Sequence, residues 1–182
     1  TLQQHGGNNL IINYGTTQNK LVVLSLNCLT IGDWNHVMFT FDGGTTGVNQ
    51  SDISDYYSRF SIAVDGVVVS QVGSHLNYGY DGAIDGSNPS DNIFRIGRAS
   101  NIHNNYYGGI INQVAIWDTD ETANLATIYN SGLAQDLSLL TSAPAHYYEI
   151  ESSVTTISDI AGSADLTGYN FTSSNLVSDM PI

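Results

Sequence analysis

Three aspartates in one polar segment are the residues of this chain best suited to hold a metal ion. Asp81, Asp85 and Asp91 lie within eleven positions of one another, in a stretch from 73 to 92 that is rich in glycine, asparagine and aspartate. Calcium binds roughly six to eight oxygen atoms, drawn from aspartate, asparagine and the backbone carbonyls of loops. The segment therefore predicts a calcium site at these three aspartates, with Asn88 as a further ligand. Two other aspartate pairs are alternative ligands: Asp52 with Asp55, and Asp159 with Asp165.

Four tyrosines in two polar loops form the second candidate group. They are Tyr78, Tyr80, Tyr106 and Tyr107. Sites for small ligands combine apolar faces, on which a sugar ring can stack, with a few placed polar groups that hold its hydroxyls. The two loops therefore predict a glycan-binding platform. The alternative is that these tyrosines pack on the rim of a sheet or against a neighbouring subunit.

The charge of the chain excludes several classes of partner. The net charge is −13, and the only basic residues are Lys20, Arg59, Arg95 and Arg98. Because nucleic acid and anionic membranes are bound by clustered lysine and arginine, neither is expected as a partner. No apolar run has the length of a membrane-spanning helix, so membrane insertion is not expected either. The excess of aspartate has a simpler alternative explanation, which is solubility.

The clearest local structure is a hairpin over residues 59–70. Phe60, Ile62 and Val64 alternate with polar or small residues, as in a strand with one buried face. Asp65 and Gly66 follow, and a second run of β-branched residues comes directly after them. An Asp-Gly link between two such runs favours a type I′ turn, which places Val64 opposite Val67.

The rest of the chain predicts further strands and one helix. Strands are expected at 10–14, 21–29, 34–41, 93–97 and 110–117. Thr119 or Asp120 can cap a helix of about ten residues whose apolar positions include Leu125 and Ile128, and Gly132 ends it. The one cysteine, Cys28, excludes an intrachain disulfide and is expected as a small buried residue of the second strand. Many strands and a single short helix predict an all-β sandwich.

Several of these stretches together resemble the laminin G-like branch of the concanavalin A-like lectin and glucanase superfamily. They are Asp33-Trp34-Asn35-His36-Val37, Ile62-Ala63-Val64-Asp65-Gly66-Val67, Phe94-Arg95-Ile96-Gly97, and residues 109–114 leading into the helix. The resemblance rests on their order and spacing over residues 30–132. It implies a jelly roll of two curved antiparallel sheets, with calcium commonly bound at the rim. The chain departs from the family pattern at Asn112 and Gln113, where an acidic pair is often found.

The end of the chain resembles the beginning of such a domain. A tyrosine-containing strand at 146–149, a polar loop at 158–163 and a short Leu-Thr pair at 166–167 follow the order of the family's first strands. We therefore expect a single domain over 1–182 in which residues 145–172 supply circularly permuted first strands. A second repeat and an added edge strand are the alternatives. The last residues, 170–181, loosely resemble the ends of some tailed-phage structural proteins.

The resemblance implies a binding protein rather than an enzyme. The superfamily's glucanases carry a Glu-x-Asp-x-x-Glu strand, whose close carboxylates perform retaining hydrolysis. In this chain Glu149 and Glu151 share one face of a strand, but no aspartate follows in register. We expect a non-catalytic adhesion module, extracellular or on a virion surface, that binds cell-surface glycan or protein through its loop rim. The alternatives are a structural module of a phage particle that contacts neighbouring subunits or copies of itself, and a glycoside hydrolase.

Overall fold

The strands of this chain form small antiparallel sheets, accompanied by one short helix. The structure is a computed structural model that describes residues 2–5, 7–15, 20–25, 27–42, 60–70, 72–75, 94–97, 107–150, 155–169 and 172–176. The chain divides into two compact units, Thr1–Gly108 and Gly109–Ile182. The mainly-β class expected from the sequence is confirmed. The single domain over 1–182 stays a prediction, as does the circular permutation.

The described residues of the first unit form seven strands in two sheets. One sheet has the order β1-β2-β3-β7, and the other has the order β4-β5-β6. All neighbouring strands are antiparallel. The strands are β1 (Leu2–His5), β2 (Asn9–Gly15), β3 (Lys20–Ser25), β4 (Val37–Phe41), β5 (Phe60–Val64), β6 (Val67–Val68) and β7 (Val72–His75).

The hairpin between β5 and β6 forms as the sequence predicts. Asp65 and Gly66 both have positive φ, at 49° and 77°, which is the backbone of a type I′ turn. Val64 pairs with Val67 in the expected register. The sequence predicts that only one face of β5 is buried, and this is wrong. Ile62 and Ala63 point to opposite faces of the strand, and both are buried.

A reciprocal pair of hydrogen bonds fixes this turn to the start of β4. The amide of Asp65 donates to the carbonyl of His36 at 2.9 Å, and the amide of His36 donates to Oδ1 of Asp65 at 2.8 Å. At the opposite end of β5 from the turn, Phe60 stacks on Phe41 of β4, with the ring centroids 4.8 Å apart. The hairpin is therefore anchored at its turn by hydrogen bonds and at its far end by aromatic packing.

Several predicted strands differ from those observed. The strand predicted over 21–29 ends at Ser25, so Cys28 lies after the strand rather than in it. Cys28 is half-buried instead of buried, and its amide donates to the carbonyl of Asn8. The polar segment predicted to be a loop begins with β7, which pairs with β3. Pairing with a neighbouring strand outweighs the weak strand propensity of Gly73 and Ser74. The strand predicted over 110–117 is shortened to β8 (Gln113–Ile116).

The second unit packs a two-stranded sheet between two segments of chain. β8 pairs with β9 (His146–Glu149), so that Ala115 lies opposite Tyr147 and Val114 lies opposite Tyr148. Successive tyrosines point to opposite faces of the strand, and both are fully buried. The hydroxyl of Tyr147 lies against the chain at Gln135, and that of Tyr148 donates to the carbonyl of Ala164 at 2.9 Å. One face is thus covered by the chain at Gln135, whose side-chain amide donates to the carbonyls of Thr127 and Ile128, and the other by the 158–165 loop.

The helical segment runs from 122 to 132 in three short pieces. The α-helix, α1 (Leu125–Tyr129), is preceded by the 3-10 turn Thr122–Asn124 and followed by Asn130–Gly132. Asp120 accepts a hydrogen bond from the amide of Thr122, and Leu125 and Ile128 are buried, as predicted. The α-helix ends earlier than predicted, because Asn130, with a φ of 49°, caps it in the left-handed conformation. Gly132, with a φ of 86°, ends the 3-10 turn that follows. The remaining elements are Leu137–Leu139, β10 (Thr156–Ile157), β11 (Leu166–Thr167) and Ser173–Asn175.

In the part of the chain that the structure describes, no helix has the length and apolar character needed to cross a membrane.

Candidate functional site

One of the seven residues predicted to bind ligand or metal lies in the described part of the chain. Tyr107 is exposed, with 46% of its surface accessible. The other predicted ligand-binding residues, Tyr78, Tyr80 and Tyr106, lie outside the described residues, and so do Asp81, Asp85 and Asp91. Tyr107 is therefore the described residue of the predicted glycan-binding platform.

Tyr107 is tied by its backbone to a second segment of the first unit. Its amide donates to the carbonyl of Gly97 at 2.8 Å. The sequence predicts a strand over 93–97, but residues 94–97 are not in a strand, and the chain bends at Ile96 and Gly97. Gly97 has a φ of 78°, which interrupts an extended backbone and which glycine adopts without strain. The hydrogen bond therefore joins two turning segments rather than two strands.

The segment to which Tyr107 is bonded carries a second exposed aromatic residue. Phe94 is exposed over 52% of its surface and precedes Gly97 by three residues. Three residues span at most about 11 Å, so the Phe94 backbone lies within that distance of the residue to which Tyr107 is bonded. The sequence reasoning missed Phe94, because the alternation of Phe94 and Ile96 is also typical of a strand with one buried face. Phe94 and Tyr107 are called the aromatic pair below.

The basic residue beside the aromatic pair is already engaged. Arg95 is half-buried and takes part in an interaction with another residue of the chain. Phe94 and Tyr107 each offer an exposed aromatic side chain to a ligand, and Tyr107 adds a phenol hydroxyl.

The carboxylate of Asp159, one of the alternative calcium ligands, accepts hydrogen bonds from the protein itself. Its Oδ1 accepts hydrogen bonds from the amides of Tyr147 at 3.0 Å and Gly162 at 2.9 Å. Its Oδ2 accepts from Nδ1 of His146 at 2.6 Å and from the amide of Ala164 at 3.0 Å. Burial alone would raise the pKa of Asp159, but the hydrogen bonds from His146 and the three amides outweigh it and hold the pKa far below its usual range. Four donors fill this carboxylate, which acts as a structural link between β9 and the 158–165 loop.

In the same loop, the backbone of Gly162 packs so closely against its neighbours that there is no room for a side chain. A Cβ at this position would lie 2.5 Å from Oδ2 of Asp159, 2.7 Å from the carbonyl oxygen of Ala145 and 2.9 Å from Nδ1 of His146. Asp165 is the second aspartate of this predicted metal-binding pair. Its Oδ1 accepts a hydrogen bond from the backbone amide of Asp159. The pair thus organises the loop, and its described contacts are with the protein.

Glu149 is the described member of the carboxylate pair considered for hydrolysis. The Tyr147 hydroxyl donates to its Oε1 at 2.6 Å, and Gln113 lies opposite it across β8 and β9. The amide group of Gln113 donates to the Tyr147 hydroxyl at 2.7 Å and approaches Oε1 of Glu149 at 3.4 Å. Burial, and then the bond to Glu149, raise the pKa of Tyr147 well above its usual range. The second carboxylate, Glu151, lies outside the described residues.

A third carboxylate, Glu121, is buried at the start of the helical segment. It accepts hydrogen bonds from Ser142 at 2.6 Å, Asn124 at 2.6 Å and Thr119 at 2.7 Å. These hydrogen bonds lower the pKa of Glu121, and the bond from Ser142 has the largest effect. All three contacts lie within the second unit, where they tie the helix to the chain before β9.

Among the described residues, no group of three or more histidine, cysteine, aspartate or glutamate side chains is arranged to hold a metal ion. The calcium site at Asp81, Asp85 and Asp91 is outside that part of the chain and stays a prediction. The chain matches no family model, no curated protein and no solved structure.

Proposed function

We propose that this chain is a non-catalytic recognition module that binds glycan through the aromatic pair and the loops around it. The observation that supports the proposal is the exposure of Phe94 and Tyr107 on two segments joined by the hydrogen bond between Tyr107 and Gly97. The proposal includes a jelly-roll sandwich and an extracellular or virion-surface location, both of which the laminin G-like resemblance implies.

A glycan suits these groups because a sugar ring has an apolar face and a polar edge. Exposed aromatic side chains offer large apolar area at a low cost in side-chain entropy, since they have only two rotatable bonds. The hydroxyl of Tyr107 adds a donor and acceptor at the edge of the platform. Tyr78, Tyr80 and Tyr106 belong to the same proposal as further stacking residues, and calcium at Asp81, Asp85 and Asp91 would order the loop that carries the first two.

A glycan array probed with the full chain tests the proposal. We expect selective binding that falls by about tenfold or more in Tyr107→Ala and in Phe94→Ala, because each change removes a stacking surface. Tyr169→Ala is the matched control, since Tyr169 is an exposed tyrosine of the second unit, with 81% of its surface accessible. An array that stays blank, or variants that bind as the unmodified chain does, would overturn the proposal.

The calcium part of the proposal has its own measurement. Calcium at a thousandfold excess over its dissociation constant stabilises a native protein by about 4 kcal/mol. For a chain of this size that corresponds to a rise in melting temperature of about 10 °C. We expect this rise to disappear with excess chelator and in Asp85→Asn. An unchanged melting temperature would remove calcium and leave the glycan proposal standing on the aromatic pair.

A second candidate function is a contact between subunits of a larger particle. It is favoured by the apolar edge at β6, where Val67 and Val68 are exposed over 65% and 52% of their surface. Edge strands with exposed apolar side chains are typical sites of strand-to-strand association. Static light scattering over a range of protein concentrations tests it: self-association that is lost in Val68→Lys supports the candidate, and a monomer at every concentration contradicts it.

A further inference from the structure

Val68, in the edge strand β6, directs its backbone polar groups away from the rest of the sheet. The amide of Val69 donates to the carbonyl of Ile62 at 2.9 Å, and Ala63 is the partner of Val68 in the register. Because hydrogen-bonded and non-hydrogen-bonded pairs alternate along an antiparallel ladder, Val68 belongs to a non-hydrogen-bonded pair. Its N–H and C=O therefore point away from β5. Among the residues that the structure describes, β5 is the only strand that pairs with β6.

The side chains of this edge are accessible as well. Val67 and Val68 are exposed over 65% and 52% of their surface, although both are apolar and β-branched. Ser70, which follows the strand, is also exposed. An outward donor and acceptor beside exposed apolar side chains is the arrangement to which a further strand can add. The edge thus offers a partner one complete hydrogen-bonding pair, centred on Val68.

A second copy of the chain supplies the matching groups in a single register. When two β6 strands run antiparallel about a two-fold axis at Val68, the outward N–H of each copy faces the outward C=O of the other. Gly66 precedes Val68 by two residues, so the two turns lie at opposite ends of the strand pair, about 14 Å apart. The Asp65 carboxylates in those turns are then separated by more than the Debye length of about 8 Å at physiological salt. A parallel pair would instead place the two turns, and both carboxylates, side by side.

We infer that β6 pairs antiparallel with β6 of a second copy, through reciprocal backbone hydrogen bonds at Val68 and contact between the exposed valines. The inference is independent of glycan binding; it rests on the second candidate function, a contact between subunits, and deepens it by naming the partner and the register. Two short strands bury much less than the roughly 800 Å² per partner of a stable complex, so the association is weak. It should strengthen with salt, because screening reduces the repulsion between two copies that each carry a net charge of −13.

Sedimentation velocity of the full chain, at protein concentrations up to roughly 1 mM, tests whether the pair forms. We expect a dimer at the highest concentrations and its loss in Val68→Lys, which brings two like charges together at the axis. Leu139→Lys is the matched control, since Leu139 is an apolar residue of the second unit with 81% of its surface exposed. Val68→Pro removes the outward N–H, which β5 does not use, so it should abolish the dimer while the chain still folds.

Cysteine cross-linking in a Cys28→Ser background tests the register. Two copies of Val68→Cys face each other at the axis with Cα atoms about 5.5 Å apart, which a disulfide can span. Two copies of Ser70→Cys lie about 14 Å apart and should not cross-link, whereas a parallel pair would cross-link both variants. Dimers that survive Val68→Pro, or cross-linking of Ser70→Cys, would overturn the inference and leave a subunit contact at β6 standing. Dimers that survive Val68→Lys, or a monomer at every concentration, would overturn both.

Discussion

Nδ1 of His146 lies 2.6 Å from Oδ2 of Asp159, and three backbone amides donate to the same carboxylate. His146 belongs to β9, whereas Gly162 and Ala164 belong to the loop that covers Tyr148. The carboxylate therefore joins a strand and a loop that are distant in sequence. Its position explains why the loop needs an aspartate at 159 and a glycine at 162.

Gly162→Ala should destabilise the second unit. The added methyl group would lie 2.7 Å from the carbonyl oxygen of Ala145, which belongs to the backbone and cannot move as a side chain does. We expect a loss of about 2 kcal/mol in the free energy of unfolding, as for an overpacked core. Gly108→Ala is the matched control, because no atom lies within 4 Å of a Cβ at that position. Denaturant unfolding followed by Trp117 fluorescence, in a Trp34→Phe background, measures both; equal stabilities would contradict the steric account.

Acid should weaken the second unit through Asp159. Its pKa is lower in the folded chain than in the unfolded chain, because His146 and three amides stabilise the charged form against the cost of burial. The unfolded chain then binds more protons, so this stabilisation is fully present above about pH 4 and is lost as the pH falls towards the folded pKa. Asp159→Asn should lower stability at neutral pH and flatten the acid dependence of unfolding. The same acid slope in Asp159→Asn and in the unmodified chain would contradict this role.

Gln113→Glu should destabilise the second unit. The amide group of Gln113 donates to the Tyr147 hydroxyl and approaches Glu149, the residue directly opposite. A carboxylate there removes the donor and faces a like charge, which should cost about 1 to 3 kcal/mol at neutral pH.

The pH dependence of the stability loss distinguishes two causes, the repulsion between carboxylates and the loss of the hydrogen bonds from Gln113. Repulsion between the two carboxylates raises their folded pKa, so the cost in Gln113→Glu should be relieved as the pH falls below about 5. Gln113→Met removes the donor without adding charge, and its cost should not change over the same range. Identical pH profiles for the two variants would show that repulsion contributes nothing.

Asp65→Ala should loosen the hairpin of the first unit. Alanine keeps the backbone bond to His36 but loses the side-chain acceptor for the His36 amide, and it places a poorly suited residue at a φ of 49°. We expect a loss of about 1 to 2 kcal/mol. Asp65→Asn retains an acceptor and tolerates positive φ, so it should remain within about 0.5 kcal/mol of the unmodified chain. Thermal unfolding followed by Trp34 fluorescence, in a Trp117→Phe background, compares them; equal losses would contradict the role of the side chain.

Local signals account for the elements that the sequence predicted well. The β5–β6 hairpin depends on Asp65 and Gly66, which set both the turn and the register. The start of the helical segment depends on Asp120, which accepts a hydrogen bond from the amide of Thr122. In each case a few neighbouring residues determine the backbone, so the pattern is visible without knowledge of the packing.

The elements that the sequence predicted poorly depend on distant residues. β7 contains Gly73 and Ser74 and forms through pairing with β3, some fifty residues earlier in the chain. Residues 94–97 have the alternation of a strand, but they bend at Gly97 and bond to Tyr107. The structural role of Asp159 likewise requires β9 and the loop to meet, so a calcium ligand was a reasonable expectation for it from the sequence alone. Phe94 was missed for the same reason, since its exposure follows from that bend.

Saturation-transfer NMR with an oligosaccharide selected from the glycan array tests most directly the claim that the chain binds glycan through the aromatic pair. If a sugar ring stacks on Tyr107, saturating the aromatic protons of the protein should transfer magnetisation to the protons on one face of that ring. The transfer should fall strongly in Tyr107→Ala and remain unchanged in Tyr169→Ala. Transfer that survives in Tyr107→Ala and Phe94→Ala, or that is absent from the unmodified chain, would contradict recognition through the aromatic pair.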